Sequence, residues 1–150
     1  MTAAPRPLDV RKQDTLTRLT EHVDAWVATA SPDGTPYLMP LSFLWTDGTL
    51  LLSTARTNPT ARNLLANPLL QLTLGEVRDV IHITATAVRL LAGDLSGEEA
   101  DAFAAKAGFD PRQAGTPYPY FRVIPTKIQA WREVDELDNR VLMEAGTWLV

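Results

Sequence analysis

Two short turn signals constrain this chain more than any other feature of it. "SPDGTP" at 31–36 and "TDGT" at 46–49 separate three β-prone runs, "DAWVATA", "YLMPLSFLW" and "LLLST". Asp-Gly is the strongest short hairpin signal, and the Pro and Gly around it favour reversal of the chain. The three runs therefore return antiparallel on one another, with no crossover between them. In the middle run Tyr37, Met39, Leu41, Phe43 and Trp45 point one way and Leu38, Pro40, Ser42 and Leu44 the other. Both faces are mostly apolar, which predicts a strand covered on both sides.

Three more strands follow: "LLQLTLG", then "DVIHITATAVRL", then "YFRVIPTKIQAWREV". In the second of these, Val80, His82, Thr84 and Thr86 alternate with Ile81, Ile83, Ala85 and Ala87, so the latter set faces a core. Pro125 interrupts the last strand and predicts a bend or an edge position, because proline cannot donate to a ladder. The tail is expected to add to that strand. Helices are predicted over "DVRKQDTLTRLTEHV", with Val10, Leu16, Leu19 and Val23 on its apolar face, over Pro59 to Ala66, and over "SGEEADAFAAKAGF". In the last of these, Ser96 caps the start, acids fill the first turn and Gly108 ends it. The sum is an α+β, mainly β chain: a small antiparallel β-barrel with two or three flanking helices. At 150 residues with 45% hydrophobic content it makes one domain, 1–150, and its Pro-punctuated first nine residues are expected to be flexible.

Charge and composition exclude several functions. A net charge of −4, with Lys and Arg evenly scattered, argues against nucleic acid or an anionic membrane as partner. Cysteine is absent, so thiolate chemistry and disulfides are excluded, and His22 and His82 have no ligand-like spacing. Both histidines are read as structural. No stretch approaches the roughly 20 apolar residues of a membrane span, and the N-terminus lacks the apolar core of a secretory signal, so the expected location is the cytoplasm.

No Gly-rich phosphate loop, GxSxG elbow or supported triad is present, and the carboxylate pairs read as solvated helix faces. One segment concentrates anion-binding chemistry: "STARTNPTARNLLANP", 53–68. Asn58 followed by Pro59 fixes a helix start whose free N–H groups and dipole attract anions. Ser53, Thr54, Arg56, Thr57, Thr60 and Arg62 surround that start with hydroxyl donors and guanidinium forks, the combination a phosphate monoester needs. Capping alone accounts for Asn58 and Pro59 without a ligand. Beside this segment, the two-sided apolar strand with Pro40 offers a slot for a flat ligand, or else an ordinary core and dimer interface.

From Asp24 to Trp131, the hairpin order together with the "TARNLLANP" helix resembles the pyridoxamine 5'-phosphate oxidase-like group of flavin-binding split barrels. The resemblance implies a homodimer of six-stranded antiparallel split β-barrels, each with two or three flanking helices, and the cofactor bound between subunits. It places Pro40, Leu41 and Ser42 along the ring, and Ser53, Thr54, Arg56, Thr57, Thr60, Arg62 and Asn63 around the phosphate tail. Trp131 and Arg132 would reach the partner's cofactor. Many members carry Lys where this chain has Thr60, so the phosphate charge falls to Arg56 and Arg62. The longer pyridoxamine phosphate oxidases end in an "RLxP"-like segment that "GTWLV" lacks, so that particular reaction is not expected. The implied cofactor is FMN, with the deazaflavin coenzyme as alternative; its longer anionic tail would draw on Arg78, Lys127 and Arg140.

Two functions of different kind follow from the resemblance. One is a flavin- or deazaflavin-dependent oxidoreductase acting on a small-molecule substrate, with a nicotinamide nucleotide or reduced deazaflavin as reductant. The other is a flavin- or heme-binding protein for storage or sensing, without turnover. A dimeric interaction module without cofactor is the third. Tyr37, Ser42, Tyr118 and Tyr120 are conceivable proton donors, and nothing in the sequence singles one out.

Overall fold

A computed structural model of the chain describes residues 4–150. Helix α1 (Leu8–Glu21) leads into β1 (Asp24–Ala30) and β2 (Pro36–Ser42), and the run expected as one strand then breaks at Phe43. After it come β3 (Leu44–Thr46), β4 (Thr49–Ser53), α2 (Pro59–Ala66), β5 (Leu69–Leu74) and β6 (Val80–Leu90). Helix α3 (Gly97–Ala107), the long β7 (Tyr120–Trp131), β8 (Val141–Glu144) and β9 (Thr147–Trp148) complete the chain. The strand order is β2-β1-β5-β6-β7-β4-β3, with β8 pairing to β7 and to β9.

The two ends of that order are consecutive in the chain. β2 pairs with β1 and β3 pairs with β4, so the single residue Phe43 carries the chain from one end of the sheet to the other. Phe43 is fully buried and its N–H donates to the carbonyl of Val23 at 2.9 Å. A sheet joined end to end in this way must curl, and the apolar residues inside the curl, such as Val27, Leu50, Leu52, Leu72, Ile83 and Val123, form one core. β6 alternates as expected, with Ile81, Ile83, Ala85 and Ala87 inward. The expected mainly β split barrel with three helices is the observed fold, with more strand segments than six because of the break at Phe43 and the strands of the tail.

The structure refines three local expectations. β2 is not covered on both sides within the chain: Leu38 and Met39 are 58% and 41% exposed. Register puts Leu38 opposite Ala28, Trp26 opposite Pro40 and Thr73, and Leu69 opposite Thr86. Trp26, Leu38, Leu69, Val88 and Ile124 thus share the outer face of the sheet and are all exposed there. Pro125 has a strand on one side only, since β4 pairs with β7 as far as Val123 and β8 from Ile128, while β6 runs opposite it. A register shift at Thr84/Ala85 makes Thr126 the extra residue of a bulge, and its Oγ1 donates to the carbonyl of Thr84 at 3.1 Å. The proline is therefore accommodated by a bend in β7.

The third of these concerns α1. Its buried residues are Arg11, Thr15 and Leu19, while Val10 is exposed and Val23 lies beyond its end. Arg11 is tolerated inside because its Nη1 donates to the carbonyls of Ala130, Glu136 and Asn139, and Thr15 donates to the carbonyl of Arg11 at 2.8 Å. Arg6 adds a 2.8 Å ion pair to the buried carboxylate of Glu136 and a 3.0 Å pair to Asp14. From Arg6 onward the segment expected to be flexible is therefore anchored, and residues 1–3 of it lie outside the described residues. At the other end of the helix, Gly75 at φ 80° leaves room for Arg18, whose Nη2 donates to the carbonyls of Leu74 and Asp79. α1 is thus bound to the barrel mainly by arginines.

Candidate functional site

β4 delivers Ser53 to the rim of the barrel, and the loop after it turns into α2. Asn58, extended at φ −70° and ψ 146°, caps the helix through its backbone, and Pro59 follows at the first position. The Asn58 side chain does not cap; its Nδ2 donates to Thr54 Oγ1 at 2.9 Å. The loop also clamps a second segment that approaches from α3. Arg56 N–H donates to the carbonyl of Pro117 at 3.0 Å, and Ser53 Oγ donates to the carbonyls of Tyr118 and Pro119 at 3.3 and 3.0 Å. Prolines on both sides of Tyr118 favour the extended backbone that presents those carbonyls.

Two cavities flank this clamp. One, of about 730 Å³, is lined by Arg56, Thr57, Arg62, Leu65, Ala66, Thr116 and Pro117. Among the described residues neither arginine forms an ion pair, whereas Arg6, Arg11, Arg18, Arg112, Arg122 and Arg132 all do. The cavity thus has two guanidinium groups and no carboxylate in its lining. The other cavity, of about 410 Å³, lies between β2 and α3. Pro40, Leu41, Ser42, Ser53 and Thr54 line it together with Asp24, Asn58, Phe103, Ala107, Phe109 and Tyr118. Ser42 Oγ donates to Asp24 Oδ1 at 2.7 Å across the first pair of the β1–β2 ladder.

Eight of the expected site residues, Pro40, Leu41, Ser42, Ser53, Thr54, Arg56, Thr57 and Arg62, thus line two adjacent cavities. Thr60 and Asn63 are placed differently. Thr60 is 2% exposed, and Asn63 is turned inward, its Nδ2 donating to Thr29 Oγ1 at 3.0 Å and so tying α2 to β1. Arg78 is exposed beside Glu133 at 3.6 Å, Arg132 pairs with Asp79 at 3.2 Å, and the Arg140 guanidinium lies over the Trp131 ring at 5.4 Å. Trp131 ends β7 and Tyr120 begins it opposite Ser53, so roughly 35 Å of strand separates that group from the cavities in the same chain.

Asp24, Phe103, Phe109, Thr116 and Pro117 were not legible as site residues, because they reach the cavities only through the strand pairing and the packing of α3, and Tyr118, a conceivable proton donor, lines the smaller cavity. His82 belongs to neither cavity. Its Nε2 meets Gln71 Oε1 at 2.7 Å and its Nδ1 meets Gln129 Nε2 at 3.3 Å, and burial, then the charge of Lys127, lowers its pKa. No group of metal-binding side chains is found among the described residues, and none of their helices is long and apolar enough to cross a membrane.

A curled antiparallel barrel of this strand order is the fold of the pyridoxamine 5'-phosphate oxidase-like split barrels. The family model for pyridoxamine 5'-phosphate oxidase matches residues 12–135, and the chain belongs to that family. No curated protein sequence matches it. Among solved structures, a heme-binding protein from Mycobacterium smegmatis is similar with a TM-score of 0.67 and 15% identity, over 94% of this chain and 59% of that one. HutZ, the heme storage protein from Vibrio cholerae, gives 0.62 at 15% identity over 77% and 89% of the two chains. An F420 reductase gives 0.59 at 19% identity over 75% and 93%. These likenesses show the fold.

Proposed function

We propose that this chain is a flavin- or deazaflavin-dependent oxidoreductase, with FMN as the first cofactor to test, acting on a small-molecule substrate. The observation that carries this reading is the pairing of cavities across one clamp: free guanidinium groups of Arg56 and Arg62 on one side, an apolar and aromatic slot on the other. Two arginines on one cavity suit a phosphate tail, and the aromatic wall of the other suits a flat ring whose edge meets the polar groups beside it. When bound, the ring system supplies hydride transfer to or from a substrate, with a nicotinamide nucleotide or reduced deazaflavin as the proposed reductant. The chain's own part is to hold the tail with Arg56, Thr57 and Arg62, to seat the ring against Pro40, Leu41 and Ser42, and to keep water from that slot with Phe103 and Phe109.

The chain acts as a homodimer in this proposal. The exposed outer face carrying Trp26, Leu38, Leu69, Val88 and Ile124 is the surface that pairs, as a contiguous apolar sheet face in a small protein calls for a partner. Pairing would also let Arg78, Trp131 and Arg132 of one subunit approach the cavities of the other. The competing reading, a heme- or flavin-holding protein without turnover, draws on the heme-named neighbours. It is less favoured for heme because both ring nitrogens of His82 already have hydrogen-bond partners.

The test is the double variant Arg56→Ala/Arg62→Ala. Each charge-assisted contact is worth about 1.5 to 3 kcal/mol, so FMN affinity should fall by about 3 to 6 kcal/mol while riboflavin, which lacks the phosphate, changes little. Equal losses for both ligands would refute the tail assignment. Reduction of the bound flavin by a nicotinamide nucleotide and reoxidation by an added acceptor would separate an oxidoreductase from a storage protein.

A further inference from the structure

The two cavities differ in hydrogen-bonding character. The larger offers donors, the guanidinium N–H groups of Arg56 and Arg62. In the smaller, two hydroxyl protons are already committed: Ser42 Oγ–H goes to Asp24, and Ser53 Oγ–H goes to the carbonyls of Tyr118 and Pro119. What these hydroxyls present to a ligand is lone pairs. Asp24 adds a formal negative charge, and among the described residues it has no ion-pair partner. It stands on the first residue of β1, held beside Ser42 by the ladder.

The opposite wall is aromatic. Gly108 closes α3 in the left-handed region at φ 71°, which turns the chain so that Phe109 lies against Tyr118 with ring centroids 5.2 Å apart. Phe103 is buried behind them. The turn is pinned on its far side by Arg112, which pairs with Asp110 at 2.9 Å and with Asp101 at 2.7 Å. The slot therefore has an aromatic wall and one corner, Asp24 with Ser42, that presents acceptors.

We propose that the cavity between β2 and α3 selects a planar ring through N–H groups donated to Asp24 and Ser42, so that Asp24 is a specificity-determining residue for the ring end of the ligand. This deepens the flavin reading and rests on it for the identity of the ring. A ligand whose edge carries only acceptors would place lone pairs against the carboxylate and is rejected; one carrying an imide N–H or a cationic N–H is accepted.

The test uses the full chain and ligands without a phosphate tail, so that the arginine cavity does not contribute. Lumiflavin and its N3-methyl derivative differ only in the imide N–H, and binding is read by fluorescence titration. The native chain should bind the methylated ring about tenfold or more weakly, the loss expected for one hydrogen bond to a charged group. In Asp24→Ala that gap should close to within about threefold, and Ser42→Ala should narrow it partly. The ratio of FMN to lumiflavin affinity should be the same in Asp24→Ala as in the native chain. Asp24 is exposed, so an unchanged thermal midpoint confirms that the variant is folded. An undiminished N3-methyl gap in Asp24→Ala overturns the proposal and leaves the flavin reading standing. If the native chain binds no flavin, the flavin reading falls and the cationic tricycle proflavine decides. Binding at least about tenfold tighter to the native chain than to Asp24→Ala supports the acceptor slot, and equal or absent binding overturns it.

Discussion

Arginine does opposite work at two places in this molecule. Around α1, Arg6, Arg11 and Arg18 sit among Asp14, Asp79 and Glu136 and the carbonyls of β7 and the chain after it, with nearly every donor answered by the protein itself. At the rim of the barrel, Arg56 and Arg62 border a cavity with no carboxylate among its lining residues. The side chain is the same and the difference is the company it keeps. Where the protein supplies the counter-charges, the arginine is a staple; where it does not, the proposal gives it a counter-charge from a bound phosphate.

This contrast can be tested from both sides. The largest expected effect is at the rim. Arg56→Ala/Arg62→Ala should cost FMN binding the amount given above yet leave the urea midpoint nearly unchanged, because exposed unpaired cations add little to stability. Next in size is the staple. Glu136→Gln removes the carboxylate that Arg6 grips through both oxygens, and breaking such a buried pair costs about 3 to 5 kcal/mol. Urea unfolding should show that loss, while FMN affinity measured on the folded protein stays put. If the reverse pattern appeared, stability lost at the rim and affinity lost at the staple, the division would be wrong.

A smaller effect sharpens the boundary between the two roles. Asn63 belongs to the same helix as Arg62 but points inward to Thr29, so Asn63→Ala should lower stability by about 1 to 3 kcal/mol through the unpaired hydroxyl it leaves, with little change in FMN affinity. The staple can also be read in acid. Hydrogen bonding from Arg6, against the opposing effect of burial, holds the Glu136 carboxyl down to about 2. A carboxyl depressed on folding stabilises fully above its unfolded value of 4.5, and that contribution is lost as pH falls toward 2. The native chain should therefore lose stability across that window more steeply than Glu136→Gln, as measured by thermal midpoints at successive pH values.

The sequence made the hairpin order, the α2 helix from Pro59 and the Ser96 and Gly108 ends of α3 legible, because local turn and cap chemistry decides each of them. It misled at α1, where an apolar stripe of Val10, Leu16, Leu19 and Val23 was expected and an arginine went inside instead. Periodicity cannot see that carbonyls from a segment more than a hundred residues away will satisfy a guanidinium. At Pro125 the expected bend was legible, but not the bulge at Thr126, which depends on the partner strand. The arginines of the rim could be picked out from their neighbours in the chain. Asp24 could not: only the pairing with Ser42 brings a strand's first residue to the slot.

The break at Phe43 leaves β2 as the last strand of the sheet, and two of its seven residues, Pro36 and Pro40, have no N–H to offer. An incoming strand would find gaps in the ladder where it needs donors, so this margin is a poor template for growth. With Trp26, Leu38 and Leu69 exposed on the outer face, the proposed pairing of two copies would lie face on face, because the β2 edge does not favour strand addition.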